Sequence, residues 1–175
     1  MNGEYPFQAG KYAFSVCRIE PENNIHLILE AFSGFSRFPV AVVGNWNCGE
    51  YGRRLRGVYR NAENIFMLDP IYDRKVLNTL RSRCTVYLHG HSCGGTNPSL
   101  VEAMFLSLPI IAFDVNFNRE TTENRALYFR SAEHLRQLCS ALQPEKLRQT
   151  ADTMKEIADR RYTWERISER YAALF

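Results

Sequence analysis

The chain has 175 residues, 45% hydrophobic and 23% charged, with a formal net charge of +3. That suits one globular domain with a sizeable core. No apolar run reaches membrane-span length, and Lys and Arg are scattered rather than gathered into a DNA-binding arm. A nucleic-acid partner is therefore not expected, while an anionic small ligand or a membrane surface stays open.

The first predicted strand is "YAFSVCRI", Tyr12 to Ile19. A helix follows in "NIHLILEAFSGF", where Ile25, Ile28, Leu29 and Phe32 share a wide apolar face. "PVAVVG" reads as a strand covered on both faces. "YGRRLRGVYRNA" reads as a polar helix, and "NIFMLDPI" as a third strand broken at Pro70. Asp73 is placed to cap "RKVLNTLRSR". "CTVYLH" and "PIIAFD" are the fourth and fifth strands, with the helix "PSLVEAMFLS" between them. "FDVNFNRETTENRALYF" opens as a polar loop carrying Asn116, Asn118, Arg119 and Glu120, suited to reading sugar hydroxyls or to forming a turn. "ALYF" is a short sixth strand. Ser131, Pro144 and Thr163 open the three last helices. The five cysteines are odd in number and form no C-x-x-C pair, which predicts a reduced, cytoplasmic chain. "MNGEYPFQAGKY" has no apolar core, so no signal peptide is expected.

Strands alternating with helices predict an α/β fold: a Rossmann-like, doubly wound parallel sheet of about six strands with helices on both faces. Ligands of such sheets bind at the carboxyl ends of the strands. The loop after the fourth strand, "HGHSCGGTNPSLVEA", carries most of the signal there. Gly94 and Gly95 let a ligand approach the backbone. Thr96, Asn97 and Pro98 suit a helix start, whose free N–H groups and dipole favour a phosphate. Glu102, one turn on, can accept hydrogen bonds from ribose hydroxyls. A capped helix with a surface glutamate is the plainer alternative. His89, His91 and Cys93 alternate as zinc ligands can, but a fourth ligand is missing nearby. Cys93 as a nucleophile lacks a positioned base. A histidine donating to a sugar hydroxyl or phosphate is the simpler use of His89 or His91. Arg18, at the end of the first strand, can clamp a diphosphate or form a surface ion pair. Glu20 and Glu22 are solvated or cap the next helix. Ile71 and Tyr72 can receive a flat base.

The ordered set "SVCRIEPENNIHLILEAF", "AVVG", "LHGHSCGGTNPSLVEAM", "PIIAFD" and "YTWERISERY" resembles the C-terminal, donor-binding half of retaining GT-B glycosyltransferases of family four. It is most similar to the bacterial rhamnosyltransferase branch, for which "RIEPENN" and "HGHSxGGTNPSLxEAM" are characteristic. The resemblance implies one nucleotide-sugar-binding domain over residues 1–175, with the acceptor domain elsewhere in a longer enzyme. It implies a donor site of Arg18, Asn23, Ile71, Gly94, Gly95, Thr96, Asn97, Glu102 and Asn118, with His89 and His91 as catalytic candidates and no metal or cofactor. In this family a lysine usually stands where Asn23 is, and a further glutamate where Gly94 is. Both departures bear on the donor, and the missing glutamate, with two histidines nearby, suits an altered sugar contact such as that to a deoxysugar. The implied reaction is retaining transfer from a nucleoside-diphosphate sugar, dTDP-rhamnose, to a glycan or lipid-linked acceptor in cell-surface polysaccharide synthesis. The implied location is the cytoplasm, peripheral at the inner face of the membrane. The final helix, with Trp164, Ile167, Tyr171 and Leu174 in a stripe, would by analogy cross to the N-terminal domain. Half of a sugar-nucleotide epimerase and a flavodoxin-like binding module are the alternatives.

Overall fold

The computed structural model describes Tyr5, Phe7 and residues 11–173, with the side chain of Arg170 excepted. Six strands form one parallel sheet: β1 (Ala13–Val16), β2 (Val40–Val43), β3 (Ile65–Leu68), β4 (Val86–His89), β5 (Ile110–Phe113) and β6 (Leu127–Phe129). Their order is β3-β2-β1-β4-β5-β6, so the chain leaves the centre in one direction and later returns to build the other half. The reversal falls between β1 and β4.

The strands are apolar on both faces because both faces are covered. Ala13, Val40, Val42, Val86, Leu88 and Ile111 belong to one core. That core also holds Ile25, Leu29 and Phe32 of α1 (Ile25–Phe32), Leu55 of α2 (Glu50–Tyr59) and Leu135 of α6 (Ala132–Ser140). Phe14, Ala41, Val43, Tyr87, Ile110 and Ala112 point the other way. They pack with Leu80 of α3 (Arg74–Ser82), Leu100 and Met104 of α4 (Pro98–Phe105), and Met154 and Ile157 of α7 (Pro144–Arg161). Period-two alternation thus feeds two helical layers from one sheet.

Asp73, Asn97, Ser131 and Thr163 each accept a backbone N–H at the helix start they were assigned. Asp73 Oδ1 takes the amide of Lys75 at 2.8 Å. Asp73→Ala is expected to cost about 1 kcal/mol in urea unfolding; an unchanged midpoint would show that α3 starts without its cap.

Two expectations are corrected. β1 ends at Val16 instead of Ile19, and after the Cys17 N–H to Val43 carbonyl bond (3.2 Å) the chain turns into a short 3-10 segment, Pro21–Asn23. The cap residue of α1 is Asn24, held at φ 49°, so neither Glu20 nor Glu22 caps that helix. The polar stretch after β5 is a helix, α5 (Asn116–Thr121). It forms because its polar side chains have partners: Asn118 turns inward, Arg119 pairs with Asp114, and Glu120 pairs with Arg161 at 3.1 Å.

The two tryptophans sit in opposite surroundings. Trp46 is fully buried in the β2–α2 loop, and its Nε1–H donates to the Leu68 carbonyl at 2.9 Å. Trp164 opens α8 (Trp164–Ala172) and is 83% exposed, with Ile167 and Tyr171 also exposed. Leu174, the fourth residue of the predicted stripe, lies outside the described residues. No described helix is long and apolar enough to cross a membrane.

Candidate functional site

A cleft opens over the β1–β4 switch, where the doubly wound topology predicts one. Its first part, about 430 Å³, lies over the ends of β1, β2 and β3 and is lined by Gly44, Asn45, Ile71 and Tyr72 among others. Its second part, about 360 Å³, lies between β1 and α4 and is lined by Asn23, Arg81, His91, Asn97 and Glu102 among others. Val16, Cys17 and Arg18 border both parts. The cleft is thus long enough to take an elongated ligand, with Arg18 midway.

The Arg18 side chain is 73% exposed and 3.2 Å from a Glu20 carboxylate. Such an exposed pair holds weakly, so the guanidinium is free to turn to a ligand anion. Opposite it, Asn97 Oδ1 accepts from the Ser99 amide at 3.0 Å and from its hydroxyl at 2.8 Å. This fixes the start of α4. Gly94 has φ +105°, and Gly94, Gly95 and Thr96 are exposed. An anion at this end of α4 meets the positive pole of the helix.

Glu102 has a partner that the sequence reading missed. Its Oε2 accepts from Arg81 Nη1 at 2.7 Å, with the arginine side chain 3% exposed and the glutamate 58% exposed. The signal was available: Arg81 follows Leu77 by one helical repeat and adjoins Leu80, on the buried face of α3. A buried guanidinium needs a compensating carboxylate, and Glu102, which also lines the cleft, supplies it. Arg81 Nε is buried with no hydrogen-bond partner.

The two candidate histidines separate. His91 borders the cleft, with Nδ1 against Asn23 Oδ1. His89 is the last residue of β4 and is 4% exposed, with a buried, unpartnered Nε2. Burial first, and then the neighbouring His91, push its pKa down to about 3. Its ring is therefore neutral at physiological pH, and it is not among the residues that line the cleft. Asn118 is buried as well. It is 1% exposed, and its Nδ2 donates to the His91 and Phe113 carbonyls, both at 2.9 Å. It braces the loop from below instead of facing a ligand. The His89 and His91 rings are 5.9 Å apart, Cys93 is exposed, and among the described residues no three metal-ligating side chains converge.

Sheet order and cleft position define a Rossmann-like, doubly wound domain. Residues 4–149 match the model of the family described as Glycosyl transferases group 1, and the chain belongs to that family. No curated protein matches the chain. Among solved structures it is similar to sucrose-phosphate synthase from Thermosynechococcus elongatus (TM-score 0.81, 19% identity, 95% of this chain and 45% of that one). It is also similar to Anabaena Alr3699/HepE in complex with UDP-glucose (TM-score 0.82, 18% identity, 95% and 49%). A third is the C-terminal domain of a group 1 glycosyl transferase, LpcC, from Francisella tularensis (TM-score 0.73, 15% identity, 93% and 95%). The chain spans about half the length of the first two, and its fold matches the C-terminal half of GT-B glycosyltransferases.

Proposed function

We propose that this chain is the donor-binding half of a retaining GT-B glycosyltransferase and that its donor is a nucleoside-diphosphate sugar, dTDP-rhamnose. The observation that carries the proposal is the set of groups that border one cleft. An apolar recess at Ile71 and Tyr72 suits a base, Glu102 suits a ribose, and Arg18 with the start of α4 at Asn97 suits a diphosphate. When the bond from the sugar to the diphosphate breaks, the leaving nucleoside diphosphate gathers negative charge. Arg18 and the α4 dipole stabilise that charge without requiring a metal.

The rest of the proposal follows the family resemblance. The acceptor, a glycan or lipid-linked glycan of the cell surface, would bind on an N-terminal domain, near the inner face of the membrane. The apolar side chains of α8 would cross toward that domain.

Thermal unfolding with dTDP, UDP and dTDP-rhamnose tests the proposal. At a ligand concentration near 100 Kd the melting temperature should rise by roughly 5–10 °C, more with dTDP than with UDP. No rise with any of them at millimolar concentration overturns the donor site. A larger rise with UDP overturns the deoxyribonucleotide.

A further inference from the structure

Two loops are laced together beside Arg18. The loop after β1 holds Glu22, Asn23 and Asn24, and the loop after β4 holds Gly90, His91 and Ser92. Asn24 Nδ2 donates to the Gly90 carbonyl at 2.9 Å. The Ser92 amide and hydroxyl both donate to the Glu22 carbonyl, each at 2.8 Å. Asn118 holds the His91 carbonyl from the opposite side. The backbone of His91 is thus fixed, and its ring is fixed as well.

Asn23 is 3% exposed, and its Nδ2 donates to the Arg18 carbonyl at 2.7 Å. That bond settles which end of the amide is which, so the oxygen faces His91 Nδ1. An amide oxygen accepts and cannot donate. The proton of the imidazole therefore sits on Nδ1. Burial first, and then the Arg18 charge, lower the His91 pKa below its ordinary value; Glu22 and the Cys93 carbonyl pull the other way without reversing this. The ring is neutral at physiological pH, and Nε2 carries a lone pair. A Cβ built on Gly94 would stand 3.5 Å from that Nε2. Gly94 is exposed and adds no side chain beside that nitrogen.

The geometry points to His91 Nε2 as a hydrogen-bond acceptor for a hydroxyl of the donor's sugar ring, with Asn23 setting the tautomer. Arg18 and the α4 amides are donors and serve the diphosphate; His91 adds a neutral acceptor beside them. A neutral acceptor recognises an alcohol without placing a second negative charge next to the phosphates. The role is the reverse of a histidine donating to the ligand, and it makes His91 a determinant of sugar specificity. It rests on the donor-site reading above.

The test combines a spectrum with a ratio of affinities. In 15N-labelled full chain at pH 7.5, long-range 1H–15N spectra should show His91 protonated at Nδ1 and bare at Nε2. Asn23→Asp should raise the His91 pKa and give the doubly protonated ring. In titrations, His91→Phe should weaken dTDP-rhamnose about tenfold while changing dTDP less than twofold, and His91→Gln, which can present an amide oxygen, should recover part of the loss. An Nε2–H tautomer or a charged ring in the unaltered protein overturns the assignment. So does an equal loss of dTDP and dTDP-rhamnose in His91→Phe. If the unaltered protein binds no nucleotide, the donor site falls and the sugar contact with it. If nucleotide binds and the ratio ignores His91, the sugar contact alone falls.

Discussion

The unfolding free energy is expected to fall steeply as pH drops from about 6.5 toward about 3, with His89 as the main cause. Its folded pKa lies near 3 because burial penalises the charged ring and His91 adds to the penalty. The ring lies at 22° to Tyr87, which is itself fully buried. The unfolded chain protonates the same residue near its ordinary value. Above that value neither state binds the proton and the stability is fully present. Below it the unfolded state gains a proton that the folded state refuses, and stability is lost until the folded pKa is reached. The slope approaches about 1.4 kcal/mol per pH unit within this window. Asp114 acts in a lower window. Its carboxylate is held down to about 2, first by Arg119 and then by Arg130, so its contribution disappears only below the ordinary aspartate range. Urea midpoints measured across pH 7.5 to 4.5 check this. His89→Leu should flatten the profile there, and a profile as steep as that of the unaltered chain would move the acid sensitivity to another group.

Gly90→Ala should unfold more easily than any other glycine substitution in the β4–α4 loop. A Cβ at this position would stand 2.1 Å from the Asn23 carbonyl oxygen and 3.1 Å from its carbon. Neither neighbour is the end of a flexible side chain, so the β1 and β4 loops must part. Parting them breaks the Asn24–Gly90 and Ser92–Glu22 bonds together. The cost is expected to be about 2–4 kcal/mol, or a fall of roughly 5–15 °C in melting temperature for a domain of this size. Nucleotide affinity should fall with it, because the same lacing holds Arg18 opposite α4. Gly95→Ala is the control: its Cβ would meet nothing within 4 Å. Equal melting temperatures for the two variants would refute the lacing.

Most of the fold was legible because the signals were local. The strands showed as apolar runs, and four helix starts showed as a capping side chain in front of an apolar repeat. The Rossmann-like order followed from alternation. What escaped needed a partner from a distant segment. α5 looked like loop because Asn118 and Glu120 find partners in the β4–α4 loop and in α7. The partner of Arg81 escaped because the carboxylate that lets it be buried is twenty-one positions away on α4. In the candidate site, the cleft position and Arg18, Asn97 and Glu102 were legible from strand ends and helix-start chemistry. The division of labour between His89 and His91 was not. Alternation gives both the same side of an extended chain, but the strand ends at His89, and only the residue beyond it reaches the cleft.

The placement of the two tryptophans supplies a built-in optical pair. Trp46 is sealed in the loop whose neighbours Gly44 and Asn45 line the first part of the cleft, and its indole N–H is tied to the carbonyl at the end of β3. Trp164 stands in water on α8. Their emission should therefore differ in colour and in access to a soluble quencher. The quencher-resistant blue component follows the sheet and the recess above it, and the quenched red component follows whatever comes to cover α8.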